Sequence, residues 1–310
     1  MISRRNIRVK VMQTLYALDS MSGETKPGEP TSILKNKVQQ SAHLFTYLNF
    51  FITEVARYAE VDARNKASKH LPTKEDLNIN TKIAGNELLW KTIENKSFVQ
   101  QVTDTKCSSL IDAELLKKIY TKLVQSEEYA DYTSEPSRDK KSEKKILEFI
   151  FNNLMLPNEA FINHVEELFI NWDDDASLMQ TLVMNYLSKP SDWPFDKMLS
   201  DEKWDFANNL LLTVLDKSAF TLELIKPKLK NWDADRIASL DLIILQMGVC
   251  EFLFFETIPT KVTINEYIDL AKEYSTVQSG QFINGLLDNI NKELTSANKI
   301  KKINFKNSTL

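Results

Sequence analysis

The chain is short of the residues that build tight turns and metal sites. Six glycines and nine prolines in 310 residues are too few for a β-sandwich or barrel, whose many reversals consume Gly, Pro and Asn-Gly. No glycine-rich phosphate turn occurs, so a doubly wound nucleotide fold has no place to hold its ligand. The two cysteines, Cys107 and Cys250, are too far apart in the chain and too few for a disulfide framework or a zinc site. The three histidines, His43, His70 and His164, show no metal-ligand spacing to one another or to a cysteine, and no Gly-x-Ser-x-Gly nucleophile motif is present. No apolar run reaches the roughly 18 residues of a membrane span, and none follows Met1 to Lys10 as a secretion signal requires. A cytoplasmic protein with no cofactor, no metal, no membrane partner and no catalytic centre is expected.

What remains is rich in Leu, Ile, Lys and Glu, and it reads as all-α. Ile7, Val11, Leu15 and Leu18 form one stripe of an opening helix, with Arg5, Arg8, Met12 and Tyr16 along its flank. Cations and a ring on one edge can pair phosphates and stack a base. Residues 20–32 hold Gly23, Pro27, Gly28 and Pro30 and read as a linker. A long helix is expected from Ile33 to Leu71, with Leu44, Tyr47, Leu48, Phe51 and Val55 inward. Residues 133–145, with Pro136, several serines and many charges, read as a disordered connector. Helices resume from Ile146. Asp173, Asp174 and Asp175 follow Trp172 and read as helix-start residues rather than metal ligands. An echo links residues 171–178 to 231–238, with Ala176 where the second copy has Arg236.

The C-terminal block carries the most information. Leu240 to Phe255 is apolar nearly all round, as the central helix of a bundle would be. Thr263-Ile264-Asn265-Glu266 fits a capping box. Gly285 interrupts a helix that buries Phe282, Ile283, Leu286, Leu287 and Ile290, and a close helix–helix approach would account for its presence. The net charge is −4, yet Arg4, Arg5, Arg8 and Lys10 at one end and Lys299, Lys301, Lys302 and Lys306 at the other leave both termini basic.

Several strings here resemble the NusB family of transcription antitermination factors. They are Asp235-Arg236, Asp241 to Leu245, Met247 to Glu251, Ile258 to Val262, Ile264-Asn265-Glu266, Leu270-Ala271-Lys272 and Phe282 to Asp288. At the other end, Arg4-Arg5, Arg8 and Gln13 to Tyr16 look like that family's arginine-rich first helix. The resemblance implies a double helical bundle made of residues 1–20 and 201–294. Residues 21–200 would then be an inserted helical domain and 295–310 a basic tail. A long insertion is tolerable because loop-closure entropy grows only logarithmically.

The resemblance also implies function. A NusB-like protein binds boxA-like single-stranded RNA together with a NusE-type small-subunit ribosomal protein, within the RNA polymerase antitermination complex. Carried over by position, the RNA contacts would be Arg4, Arg5, Arg8, Tyr16, Gln278, Ser279 and Phe282, and Asp241 would face the protein partner. Asn6 and Gln278 depart from the family pattern. A protein–protein scaffold that has lost RNA binding, or a targeting module for an RNA-modifying enzyme, are the other readings. A homodimer and the role of the insertion stay open.

Overall fold

In the computed structural model, residues 2–21, 26–190, 193–229 and 237–303 are described. They form fourteen α-helices and no strand among them. The chain divides into two compact units, one from residues 39–198, the other from residues 2–38 and 199 onward. The long helix α2 (Glu29–Ala67) contributes its first turns to the second unit and the rest to the first. No described helix is long and apolar enough to cross a membrane.

In the first unit, α2 is the axis. Leu44, Tyr47, Leu48, Phe51 and Val55 are fully buried, as their spacing requires. Against it lie α5 (Ala113–Val124) through Tyr58 and Tyr120, α8 (Glu159–Leu168) through Phe51 and Phe161, and α9 (Trp172–Ser188) through Phe45 and Tyr186. The unit is completed by α3 (Glu87–Glu94), α4 (Lys96–Asp104), α6 (Glu127–Ser134) and α7 (Lys140–Phe149). Residues 133–145 differ from expectation. Asp139 caps α7, and the buried carboxylate of Glu143 pairs with Arg138 at 2.9 Å, accepts from Tyr132 at 2.8 Å and from the backbone N–H of Glu87. Charge composition suggested a solvated segment. One buried glutamate held by three donors turns part of it into a helix instead. Asp175, in the first turn of α9, is buried and accepts from Ser41 and Asn171 at 2.6 Å each.

In the second unit, α12 (Ser239–Phe254) is the central helix and is buried from Ile243 to Phe252. Against it pack α1 (Arg4–Ser20), α10 (Asp201–Asp216), α11 (Ser218–Ile225), α13 (Thr260–Tyr274) and α14 (Val277–Ser296). The α1 stripe of Ile7, Val11, Leu15 and Leu18 is buried.

Two sequence expectations are corrected here. Helix α13 starts at Thr260 after Pro259, so Thr263 lies inside the helix and does not cap it. Its buried hydroxyl donates to Glu251 at 2.7 Å. Gly285 has nothing within 4 Å of where a side chain would begin, whereas at Gly248 an added methyl would lie 2.8 Å from Cδ2 of Leu287. The close approach of α14 to α12 therefore falls on the α12 glycine. Residues 231–236 of the echo's second copy, Asp235 and Arg236 among them, lie outside the described residues.

Candidate RNA-binding face

The opening helix is capped by Ser3, whose hydroxyl accepts from the N–H of Asn6. Its arginines meet three environments. Arg4 is exposed and pairs with Glu202 at 2.8 Å. Arg5 is half-exposed and spans two carboxylates of α13, Asp269 at 2.9 Å and Glu273 at 3.1 Å. Arg8 is 2% exposed. Its Nε and Nη2 donate to the two oxygens of the fully buried Glu251 at 2.9 Å each, and Glu266 lies 3.4 Å away. The rings of Phe206 and Tyr267 lie 5.5 and 5.8 Å from its guanidinium. Burial works against the charge of Arg8, but the hydrogen bonds and field of Glu251 outweigh it and raise the pKa above its ordinary value.

This corrects the reading of Arg8 as a phosphate contact. A helix flank counted on a wheel looked solvent-facing, but Arg8 and Met12 are covered and only the two ends, Arg5 and Tyr16, reach the surface. Tyr16 is about half exposed. It stands eleven residues beyond Arg5, roughly 16 Å along the helix axis, and so is not grouped with that end of α1.

The start of α14 is built differently. Thr276 caps it, accepting from the N–H of Ser279 at 3.0 Å. Ser279 is buried, and its hydroxyl donates to Oδ2 of Asp241 at 2.8 Å. The expected RNA contact Ser279 and the expected partner contact Asp241 are thus joined to each other below the surface. Serine tends to be exposed at helix starts, but here the first turn of α14 packs on the first turn of α12. The Oδ1 atom of Asp241 accepts no hydrogen bond from the described residues. Gln278 is exposed and Phe282 half-buried.

The last turn of α13 brings the two helix starts together. Arg5 grips it through Asp269 and Glu273, and Ser275, just past its end, contacts Ser279 at 2.9 Å. The stem of Lys272, from the Leu270-Ala271-Lys272 string, crosses the first turn of α14. A methyl at Gly280 would lie 2.7 Å from its Cγ. The signal was available in sequence as a glycine one turn into a helix, but nothing in the spacing named its neighbour.

Among the described residues no group of three or more His, Cys, Asp or Glu side chains is arranged around a common metal position. Burial pushes the Cys250 thiol up to about 12 and also raises that of Cys107, which makes both poor nucleophiles. Tyr47 and His164 share a 2.8 Å hydrogen bond within the first unit.

The second unit is an all-α bundle in which the arginine-bearing α1 and the start of α14 both meet α13. Comparison with known proteins specifies its family. The NusB family matches residues 165–292. A transcription antitermination protein NusB of Finegoldia magna is 43% identical over 93 residues, covering 30% of this chain and 68% of that protein. The namesake of Salinibacter ruber is 39% identical over 98 residues, 32% of this chain and 61% of the relative. That of Listeria monocytogenes is 35% identical over 113 residues, 36% of this chain and 88% of the relative. No solved structure matches. The chain belongs to the NusB family. The matched span begins at Val165, within α8, ahead of residue 201 where the resemblance was expected to resume, and it does not include α1.

Proposed function

We propose that the protein is an RNA-binding transcription antitermination factor, a binding protein rather than an enzyme. It would act on boxA-like single-stranded RNA together with a NusE-type ribosomal protein. Family membership carries this reading, since the relatives are named as transcription antitermination proteins. The exposed ends of the site support it: Arg5 on α1 reaches the last turns of α13, the start of α14 with Gln278 and the half-buried Phe282 follows directly, and Arg4 lies exposed next to Arg5 on α1. Arg4 and Arg5 supply positive potential, and Phe282 offers a ring edge to an unstacked base. Because both arginines already hold carboxylates, RNA affinity without the partner is modest and rises on partner binding. The separation of residues 39–198 into their own compact unit supports reading most of residues 21–200 as an insertion.

One observation favours a second reading. Every described arginine of the opening helix is engaged by a carboxylate, as expected of a scaffold that has given up RNA. Fluorescence anisotropy with a boxA-like strand and a scrambled control, with and without the ribosomal protein, at two salt concentrations, separates the two. Selective binding that weakens steeply with salt supports the RNA reading. No selectivity with the partner present leaves the scaffold.

A further inference from the structure

The carboxylates around the site are unevenly shared. Asp269, Lys272 and Glu273 follow one another on the last two turns of α13. Lys272 stands three residues after Asp269, a spacing at which helix ion pairs form, and directly before Glu273. Yet both acids bond to Arg5 on another helix, and among the described residues no carboxylate pairs with Lys272. Its side chain is exposed, and its stem lies across Gly280 at the first turn of α14. The absence of a Cβ there is what admits the stem, since a methyl would meet Cγ at 2.7 Å. The ammonium is thereby carried toward the end of α14 that holds the exposed Gln278 and the half-buried Phe282.

We propose that Lys272, laid over Gly280, is a phosphate-binding residue for single-stranded RNA, and that Arg5 serves it by occupying Asp269 and Glu273. This rests on the RNA-binding reading above and names which cation meets the backbone. Arg4 and Arg5 would have to exchange a carboxylate for a phosphate. Lys272 gives up only water and counterions. Without Arg5, the two acids would stand beside Lys272 uncompensated and repel the RNA.

The test is anisotropy on the full chain with a short boxA-like single strand over a range of salt, for the native protein, Lys272→Gln, Gly280→Ala and the double variant. Lys272→Gln is expected to lower the salt slope by about 0.7 and, near 0.1 M salt, to weaken binding roughly fivefold. Gly280→Ala is expected to weaken binding in the same direction, because the added methyl pushes the Lys272 stem off the first turn of α14, with circular dichroism confirming that the variant is folded. The double variant should bind no worse than Lys272→Gln alone. Arg5→Ala should also bind poorly, and Arg5→Ala with Asp269→Asn and Glu273→Gln should recover. Native protein that binds in a salt-dependent way while Lys272→Gln keeps the same affinity and slope overturns this assignment and leaves the RNA reading standing. Native protein that binds no RNA overturns both. Failure of the triple variant to recover means that Arg5 itself meets the RNA, which overturns its assigned role.

Discussion

Arg8 and Glu251, 243 residues apart in the chain, form a two-point ion pair with both contacts at 2.9 Å and almost no exposure. Glu251 also accepts from Thr263 at 2.7 Å and from Tyr267 at 3.1 Å. Four donors on two helices, α1 and α13, converge on one carboxylate of α12, so the network fixes α1 against α12 and α13. Such a network is demanding, because any lost member strands a buried charge.

Glu251→Ala should therefore destabilise the protein by about 3–5 kcal/mol, since Arg8 would be left buried and charged. Glu251→Gln should cost less than Glu251→Ala. Urea denaturation checks both. An Arg4→Ala change, at an exposed pair, should fall within about 1 kcal/mol of native.

Gly248, at the contact of α12 with α14, and Gly285, away from it, make opposite predictions. Gly248→Ala inserts a methyl 2.8 Å from Leu287 and should destabilise by about 1–3 kcal/mol despite a better helix residue. Gly285→Ala points into open space and should stabilise by up to about 1 kcal/mol. Thermal melts of the two variants should move in opposite directions.

Lys302 donates to the carbonyls of Glu251 and Phe255 at 2.8 and 2.7 Å, at the end of α12. Burial lowers its pKa to about 8, against opposing fields from Glu251 and Glu256. The unfolded chain then holds more protons than the folded one between about pH 8 and the ordinary lysine range near 10.4. Stability from this group accordingly rises with pH across that window. The gain stays well under the full linkage value because the side chain is only half buried. Urea midpoints from pH 7 to pH 10 should show a more positive slope for native protein than for Lys302→Gln. Equal slopes would remove Lys302 as the cause.

In the first unit, Glu143→Ala should strand Arg138, Tyr132 and the N–H of Glu87, at a cost of about 3–5 kcal/mol. Hydrogen exchange should report the loss over α6 and α7. Exchange in α12 and α13 should be unchanged, because they belong to the other unit.

Much of the helical plan was legible without coordinates. Periodicity alone marks the buried faces of α1 and α2 and the all-round burial of α12, because a helix packed on one side must repeat its apolar residues near every 3.6 positions. Scarcity of glycine and proline rules out turn-rich folds for the same kind of local reason. The strings from Asp241 to Asp288 carry the family likeness, since packing of three contiguous helices leaves a residue-by-residue imprint.

What the sequence could not decide is which neighbour each polar side chain would find. Arg5 and Arg8 lie three residues apart on one helix, yet one is half-exposed on α13 and the other is sealed against Glu251. Thr263 fits a capping box by spacing but donates to a buried carboxylate. Of two glycines in apolar helices, only Gly248 faces a partner helix. Ser279 and Asp241, 38 residues apart, share a proton beneath the surface. Local pattern sets secondary structure and its apolar side, because those depend on neighbours within a turn or two. Burial of charge, the pairing of acids with Arg5 in place of Lys272, and the separation into two units depend on contacts between distant segments, and only the tertiary structure decided them.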